Sequence, residues 1–214
     1  MWDGIWNAGW GVHDPNVTTW KDLAGSAEAE LVSGQPTWEN TSYAFGGSTY
    51  FRIDSTVPAE AVLEMPYTVE VVFRGTGNSN GNGGIIGFGG ATDTGNPRTF
   101  WIWERSSSYQ YLIDSIQTAQ GNWGVSQTWD KSSAYVFQFV VTANEASFFV
   151  NGSVYQTRFP SETTQTPTSS YLGKIGNYGI CQSSLHSVRI YSRALTVEEI
   201  AHNYAVDKQR FNLP

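Results

Sequence analysis

Tyr67-Thr68-Val69-Glu70-Val71-Val72-Phe73-Arg74 is the stretch on which the fold turns. Tyr67, Val69, Val71 and Phe73 recur at every second position, with Thr68, Glu70, Val72 and Arg74 between them. Alternate side chains of an extended chain point to opposite faces, so a period of two, not 3.6, predicts a half-buried β-strand. Tyr135 to Thr142 repeats the pattern, with Tyr135, Phe137, Phe139 and Val141 set against Val136, Gln138, Val140 and Thr142. Both of its faces are largely apolar, which predicts a central strand covered on each side.

Outward from these two runs the same signal continues. Ala146 to Val150, Asn151-Gly152 and Ser153 to Arg158 read as a hairpin on a tight type I′ turn, because Asn and Gly tolerate the positive φ which that turn needs. Further strands are expected at Tyr43 to Phe45, Thr49 to Ile53, Ile85 to Phe88, Thr99 to Glu104, Tyr109 to Ile113, Tyr171 to Ile175 and Leu185 to Tyr191. That number suits two stacked antiparallel sheets. One helix is expected near the C-terminus, where Thr196 and Glu199 form a capping box and Val197, Ile200, Ala201 and Tyr204 supply an apolar face. Gly- and Asn-rich stretches at Gly75 to Gly84 and Gly87 to Gly95 read as long loops. Trp2, Trp6 and Trp10 are spaced by four, but Gly4, Gly9 and Gly11 favour a loop or edge strand over a helix. No boundary or repeat interrupts the chain, so residues 1–214 read as one domain.

Composition narrows the partners. Nine Trp and 14% aromatic residues against 14% charged residues suit a thick core. A net charge of -7, with 12 scattered Lys and Arg, disfavours nucleic acid. No window approaches the roughly 20 apolar residues of a membrane-spanning helix, so no membrane insertion is expected. Met1-Trp2-Asp3-Gly4 lacks a basic-then-apolar leader. Cys181 stands alone and is expected to be a small buried residue.

Several segments, taken in order, carry a family likeness. Trp2-Asp3-Gly4-Ile5, Thr19-Trp20-Lys21-Asp22-Leu23-Ala24-Gly25, Ala44-Phe45-Gly46-Gly47, Tyr67 to Phe73, Phe149-Val150-Asn151-Gly152, Tyr171-Leu172-Gly173-Lys174-Ile175-Gly176, and above all Val188-Arg189-Ile190-Tyr191-Ser192-Arg193-Ala194-Leu195-Thr196 with Glu198-Glu199-Ile200 resemble the laminin-G-like domains of the concanavalin A-like superfamily, in their bacterial or phage form. The resemblance implies an all-β, two-sheet antiparallel jelly-roll sandwich with a short C-terminal helix. It also implies an extracellular, cell-surface or phage-virion setting. Arg189, Tyr191 and Arg193 are expected to be structural, since semi-buried polar groups normally satisfy hydrogen bonds.

Relatives in this superfamily include glycoside hydrolases, which need two carboxylates about 5–9 Å apart. No strand here carries carboxylates two or four residues apart; Glu70 with Glu104 or Asp114 is the alternative, and only tertiary structure can bring those together. His13, His186 and His202 lack transition-metal spacing. Calcium is possible by resemblance, through Asp93 or the group Asp3, Asp14 and Asp22, although the family's acidic pair is replaced by His186-Ser187. The Gly75 to Gly84 run lacks the Lys-Ser/Thr of a phosphate loop.

The candidate binding set is aromatic. In Phe100-Trp101-Ile102-Trp103-Glu104-Arg105, alternation puts Trp101, Trp103 and Arg105 on one face; Tyr109 and Tyr111 share a face on the next strand, and Trp123 and Trp129 flank the loop beyond. Flat rings with nearby polar groups suit sugar faces. The expectation is a non-catalytic, carbohydrate-binding, lectin-like module of a larger bacterial surface or phage protein, with a glycan or cell-surface protein as partner. A protein-binding or structural adhesion domain is the first alternative, and a glycoside hydrolase or lyase the second.

Overall fold

The computed structural model describes residues 1–46, 48–53, 66–75, 83–88, 100–105, 110–113, 117–118, 121–122, 133–158, 170–175 and 179–213, and within 100–122 it describes the side chain of Ile102 alone. The strands are β1 (Trp2–Asp3), β2 (Thr19–Trp20), β3 (Ala29–Leu31), β4 (Tyr43–Phe45), β5 (Phe51–Ile53), β6 (Tyr67–Gly75), β7 (Gly83–Phe88), β8 (Phe100–Arg105) and β9 (Gln110–Ile113). They continue with β10 (Gln117–Thr118), β11 (Gly121–Asn122), β12 (Ala134–Val141), β13 (Ala146–Val150), β14 (Ser153–Arg158), β15 (Ser170–Leu172), β16 (Gly179–Ile180) and β17 (Ser183–Tyr191), and α1 (Val197–Arg210) follows.

A seven-stranded sheet runs β1-β17-β6-β12-β13-β14, with β4 also paired to β17. An eight-stranded sheet runs β2-β3-β5-β15-β7-β8-β9, with β16 joining β7 in the parallel sense. β10 and β11 pair with each other. The two large sheets stack as the expected jelly-roll sandwich, and the reason is visible in β6. Tyr67, Val69, Val71 and Phe73 enter the core between the sheets, against Phe51, Ile53, Ile86 and Ile102 from the opposite one.

β12 pairs with β6 on one side and β13 on the other, the central position predicted from its two apolar faces. Phe137, Phe139 and Val141 go inward. Outward, Ala134 and Val136 meet Phe211 and Leu213, while Val140 meets Leu195 and Ile200. The second face is therefore closed by α1 and its flanks. The hairpin also forms as read: Asn151 and Gly152 have φ of 51° and 76°, the positive values a type I′ turn requires. A Cβ at Gly152 would lie 2.9 Å from the Tyr204 ring, so this tip seats the helix as well as turning the chain.

The capping box is present, with Thr196 Oγ1 accepting from the Glu199 amide at 3.3 Å and the Glu199 carboxylate accepting from the Thr196 amide at 2.9 Å. Arg193 holds Glu199 from outside and pulls its pKa down to about 2. Thr196→Ala is expected to cost about 1 kcal/mol, read as a lower urea midpoint with an unchanged slope. An unchanged midpoint would mean that tertiary packing alone holds the helix end.

Two expectations need correction. The buried positions of α1 are Ile200 and Asp207, while Val197 and Ala201 face solvent. The helix is held by Ile200, the half-buried Tyr204 and the Asp207 carboxylate, a narrower apolar face than expected. The glycine-rich runs also do not act as continuous loops, because Gly75, Gly83, Gly84 and Gly87 lie within strands. A Cβ at Gly84 would overlap the Ile175 amide nitrogen, so its absence lets the Lys174–Ile175 segment lie directly on β7. The remainder of both runs lies outside the described residues.

Candidate functional site

The outer faces of the two sheets differ, and that difference locates the site. On the seven-stranded sheet the outward residues of β6, β12 and β17 are largely covered, with Arg74 exposed at one end. Glu70, Gln138, Arg189 and Asp207 form a buried polar cluster beneath α1. Arg189 Nη1 donates to Asp207 Oδ2 at 2.7 Å and also reaches Glu70, and Nη2 reaches the other Asp207 oxygen. Gln138 Nε2 donates to Glu70 at 2.7 Å and to the Ile200 carbonyl at 2.9 Å. Burial raises the Glu70 pKa, and the Arg189 charge reverses only part of that rise. Burial works against the Arg189 charge too, but the Asp207 and Glu70 carboxylates outweigh it and keep the guanidinium charged.

A carboxylate pair with a raised member can mark an acid–base centre. Here Glu70 and Asp207 are fully buried, share one guanidinium and sit under a helix, so a substrate would have to displace α1 to reach them. The cluster ties α1 to the sheet. Asp207 was absent from the sequence reading; the only local signal was an acidic residue one helical turn beyond Tyr204, on the inward side. Glu104, the other carboxylate considered with Glu70, belongs to the opposite sheet, so the core separates the two strands. Asp114 lies outside the described residues. Arg189 is structural, as expected. So is Tyr191, whose hydroxyl accepts from the Asn203 side-chain amide at 3.0 Å.

At the edge of this sheet Trp2 is buried in β1, whereas Trp6 stacks under Arg210 and Trp10 is largely exposed. Asp3 pairs with Arg210, Asp14 accepts from the Asn16 amide, and Asp22 accepts from the Ala24 amide. These aspartates thus cap turns or balance an arginine. Among the described residues no group of three or more His, Cys, Asp or Glu side chains could hold a metal ion. Asp93 lies outside those residues.

Among the described residues the outer side of the eight-stranded sheet is exposed over β3 and β5, while the Lys174–Ile175 segment lies over β7. Strand register lines up Thr19, Glu30, Arg52, Tyr171 and Gly87 as successive cross-strand partners, and the next partner in the row is Trp101. Glu30 and Arg52 are exposed, and Thr19 and Tyr171 are half-buried. Their neighbours along each strand, Ala29, Phe51, Ile53 and Leu172, are core. Beside this row Val32 donates its amide to the Tyr50 carbonyl and exposes its side chain. Tyr50 and Tyr171 meet edge to face at 5.7 Å, and the Lys174 ammonium lies 4.5 Å from the first ring and 5.7 Å from the second.

For the expected aromatic set, the backbone of Trp101, Trp103 and Arg105 is in β8 and that of Tyr111 in β9. Ile102, between the two tryptophans, is core. The side chains of those four residues, and all of Tyr109, Trp123 and Trp129, lie outside the description. Sequence reasoning missed Tyr50, Arg52, Tyr171 and Lys174, which register assembles from two separate segments. Among the described residues no helix is long and apolar enough to cross a membrane.

With this geometry in hand, comparison with known proteins gives three findings. A laminin G family model, described as Concanavalin A-like lectin/glucanases superfamily, matches residues 45–201. No curated protein matches the chain. Among solved structures, Trypanosoma rangeli sialidase in complex with sialic acid is similar at 15% identity and a TM-score of 0.71, over 92% of this chain and 32% of the sialidase. The receptor binding domain of botulinum neurotoxin C/D mosaic serotype is similar at 12% identity and a TM-score of 0.67, over 87% of this chain and 48% of that one. The chain spans about a third of the sialidase and about half of the toxin domain.

These likenesses correct the expectation of a non-catalytic, carbohydrate-binding lectin module of a bacterial surface or phage protein. The same fold is carried by a sialidase captured as a covalent intermediate and by toxin receptor-binding domains. At such identities the likeness shows the fold, and a fold does not select between catalysis and binding.

Proposed function

The chain belongs to the concanavalin A-like lectin/glucanases superfamily, and from that premise we propose that it is a docking module that binds a partner protein on the outer face of its eight-stranded sheet. The observation that carries this reading is the asymmetry of the two faces. One is covered over β6, β12 and β17 by α1 and the Glu70–Arg189–Asp207 cluster; the other, among the described residues, exposes Val32 and Arg52 with Tyr50, Tyr171 and Lys174 beside them. Tyrosine and arginine on a rigid strand surface are favoured at protein interfaces, because they offer large contact area at low entropy cost. The similarity to toxin receptor-binding domains supports a binding role for the fold.

The purified chain would be used to select from a display library of random linear peptides. Enriched peptides are expected to lose at least about tenfold in affinity on Tyr171→Ala, the size of loss that truncating a central interface aromatic brings. They should keep their affinity on Val206→Ala, an exposed site on α1. The reading fails if no peptide is enriched, or if Tyr171→Ala binds as well as the wild type.

A further inference from the structure

Arg52 and Lys174 carry an observation that the docking reading alone does not use. The described chain pairs most of its other cations: Lys21 with Glu28, Arg189 with Glu70 and Asp207, Arg193 with Glu199 and Arg210 with Asp3. Among the described residues no carboxylate stands within ion-pair distance of Arg52 or Lys174. Yet this is a chain of net charge -7, in which carboxylates outnumber cations. Register sets Arg52 beside Tyr171, and Lys174 lies over the Tyr50 and Tyr171 rings, so two cations without a carboxylate partner among the described residues share one face.

Their positions are also fixed. Arg52 is directly opposite Tyr171 on the neighbouring strand, which puts the two Cβ atoms about 4.5–5.5 Å apart. Lys174 reaches the same ring and lies closer still to Tyr50. The ring faces attract the ammonium and hold it in place while leaving its N–H groups free to donate. The Lys174 backbone is fixed as well, since the Lys174–Ile175 segment rests on Gly84 and Gly87 and Lys174 bridges to Ile180. Glu30 is the cross-strand partner of Arg52 on its other side, one strand further from Tyr171, and is not within ion-pair distance of it.

We propose that the Arg52–Tyr171–Lys174 surface is a carboxylate-recognition site, and that its occupant is an acidic peptide segment of the partner protein. This rests on the docking reading and names the chemistry of that partner. Glu or Asp carboxylates of the segment accept from the Arg52 guanidinium and from the Lys174 ammonium. Charge-assisted donors of this kind form the shorter and stronger hydrogen bonds. Val32 and the Tyr50 ring lie beside the site and receive an apolar neighbour of the acidic residue. The chain's overall negative charge does not prevent this, because charges more than about 8 Å away are largely screened at physiological ionic strength.

The test is a fluorescence-anisotropy titration of the whole chain with three labelled peptides of one length: alternating Glu and Leu, alternating Gln and Leu, and alternating Lys and Leu. The Glu peptide is expected to bind at least about tenfold more tightly than the Gln peptide, and the Lys peptide not at all. Arg52→Gln and Lys174→Gln should each weaken the Glu peptide by about tenfold and leave the Gln peptide unchanged, with folding checked by circular dichroism. Equal affinity for the Glu and Gln peptides, or full affinity in both variants, overturns the proposal. If both peptides bind equally and lose affinity on Tyr171→Ala, docking on this face stands and carboxylate recognition falls. If a carboxylated polysaccharide binds through Arg52 and Lys174 while the Glu peptide does not, the assignment to a peptide is overturned.

Discussion

Arg189→Met is expected to destabilise the protein by about 3–5 kcal/mol, because it removes the one cation between two fully buried carboxylates. In a chain of this size that corresponds to a fall in Tm of roughly 6–20 °C. The argument concerns what is left behind. Glu70 and Asp207 would remain out of water, with Gln138, among the described residues, the only other side chain donating to Glu70. The opposite result is expected when all three charges go together. Arg189→Met combined with Glu70→Leu and Asp207→Leu should fall within about 2 kcal/mol of the wild type, since burying an ion pair costs about as much as the pair returns. The raised pKa of Glu70 already points that way, as burial outweighs the attraction of Arg189.

The pH dependence of the single variant follows with a definite sign. A glutamate whose folded pKa is raised favours folding fully below its unfolded value of about 4.3, and loses that contribution as pH rises through the folded value. Removing Arg189 raises Glu70 further, so the deficit of Arg189→Met should be largest near neutral pH and shrink as pH falls toward 4. Urea titrations at several pH values would show this. A cost below about 1 kcal/mol at neutral pH, or a triple variant worse than the single one, would show that the cluster does not bind α1 to the sheet in the way described.

Phe51→Ala should produce a loss of similar size, about 3–5 kcal/mol. Phe51 is fully buried in β5 and its ring meets those of Tyr43 at 4.7 Å, Trp20 at 5.7 Å, Trp38 at 5.8 Å and Phe45 at 6.2 Å. Tyr43 and Phe45 come from the seven-stranded sheet, so the ring joins the two layers as well as filling space. Truncation leaves a cavity walled by large aromatic side chains that cannot easily collapse into it. Arg52→Ala, one residue on and facing out, is the matched control and should change stability by no more than about 0.5 kcal/mol. If both variants cost the same, the assignment of inward and outward faces on β5 is wrong.

Much of the architecture was legible in local pattern. The period of two in Tyr67 to Arg74 named a strand and sorted its side chains into two sets, and the doubly apolar run from Tyr135 named a covered central strand. Asn151-Gly152 and Thr196 with Glu199 each specify a local geometry, a left-handed turn and a helix cap, that depends on few distant contacts. The apolar-face reading of α1 failed because it scored residue types one by one. Asp207 is inward because Arg189, on the preceding strand β17, offers it a partner once the helix folds back over the sheet.

The proposed binding face was illegible because it is assembled from distant segments. Tyr50 and Arg52 are separated from Tyr171 and Lys174 by more than a hundred residues of sequence, and no local rule says that β5 pairs with β15. By itself the sequence determined that this protein is a two-sheet β-sandwich with a capped C-terminal helix, because alternation, turn residues and caps are written within a few consecutive positions. Only the tertiary structure decided which outer face α1 covers. Alternation gives a strand two faces without assigning either one to water; strand pairing and the docking of the helix make that assignment.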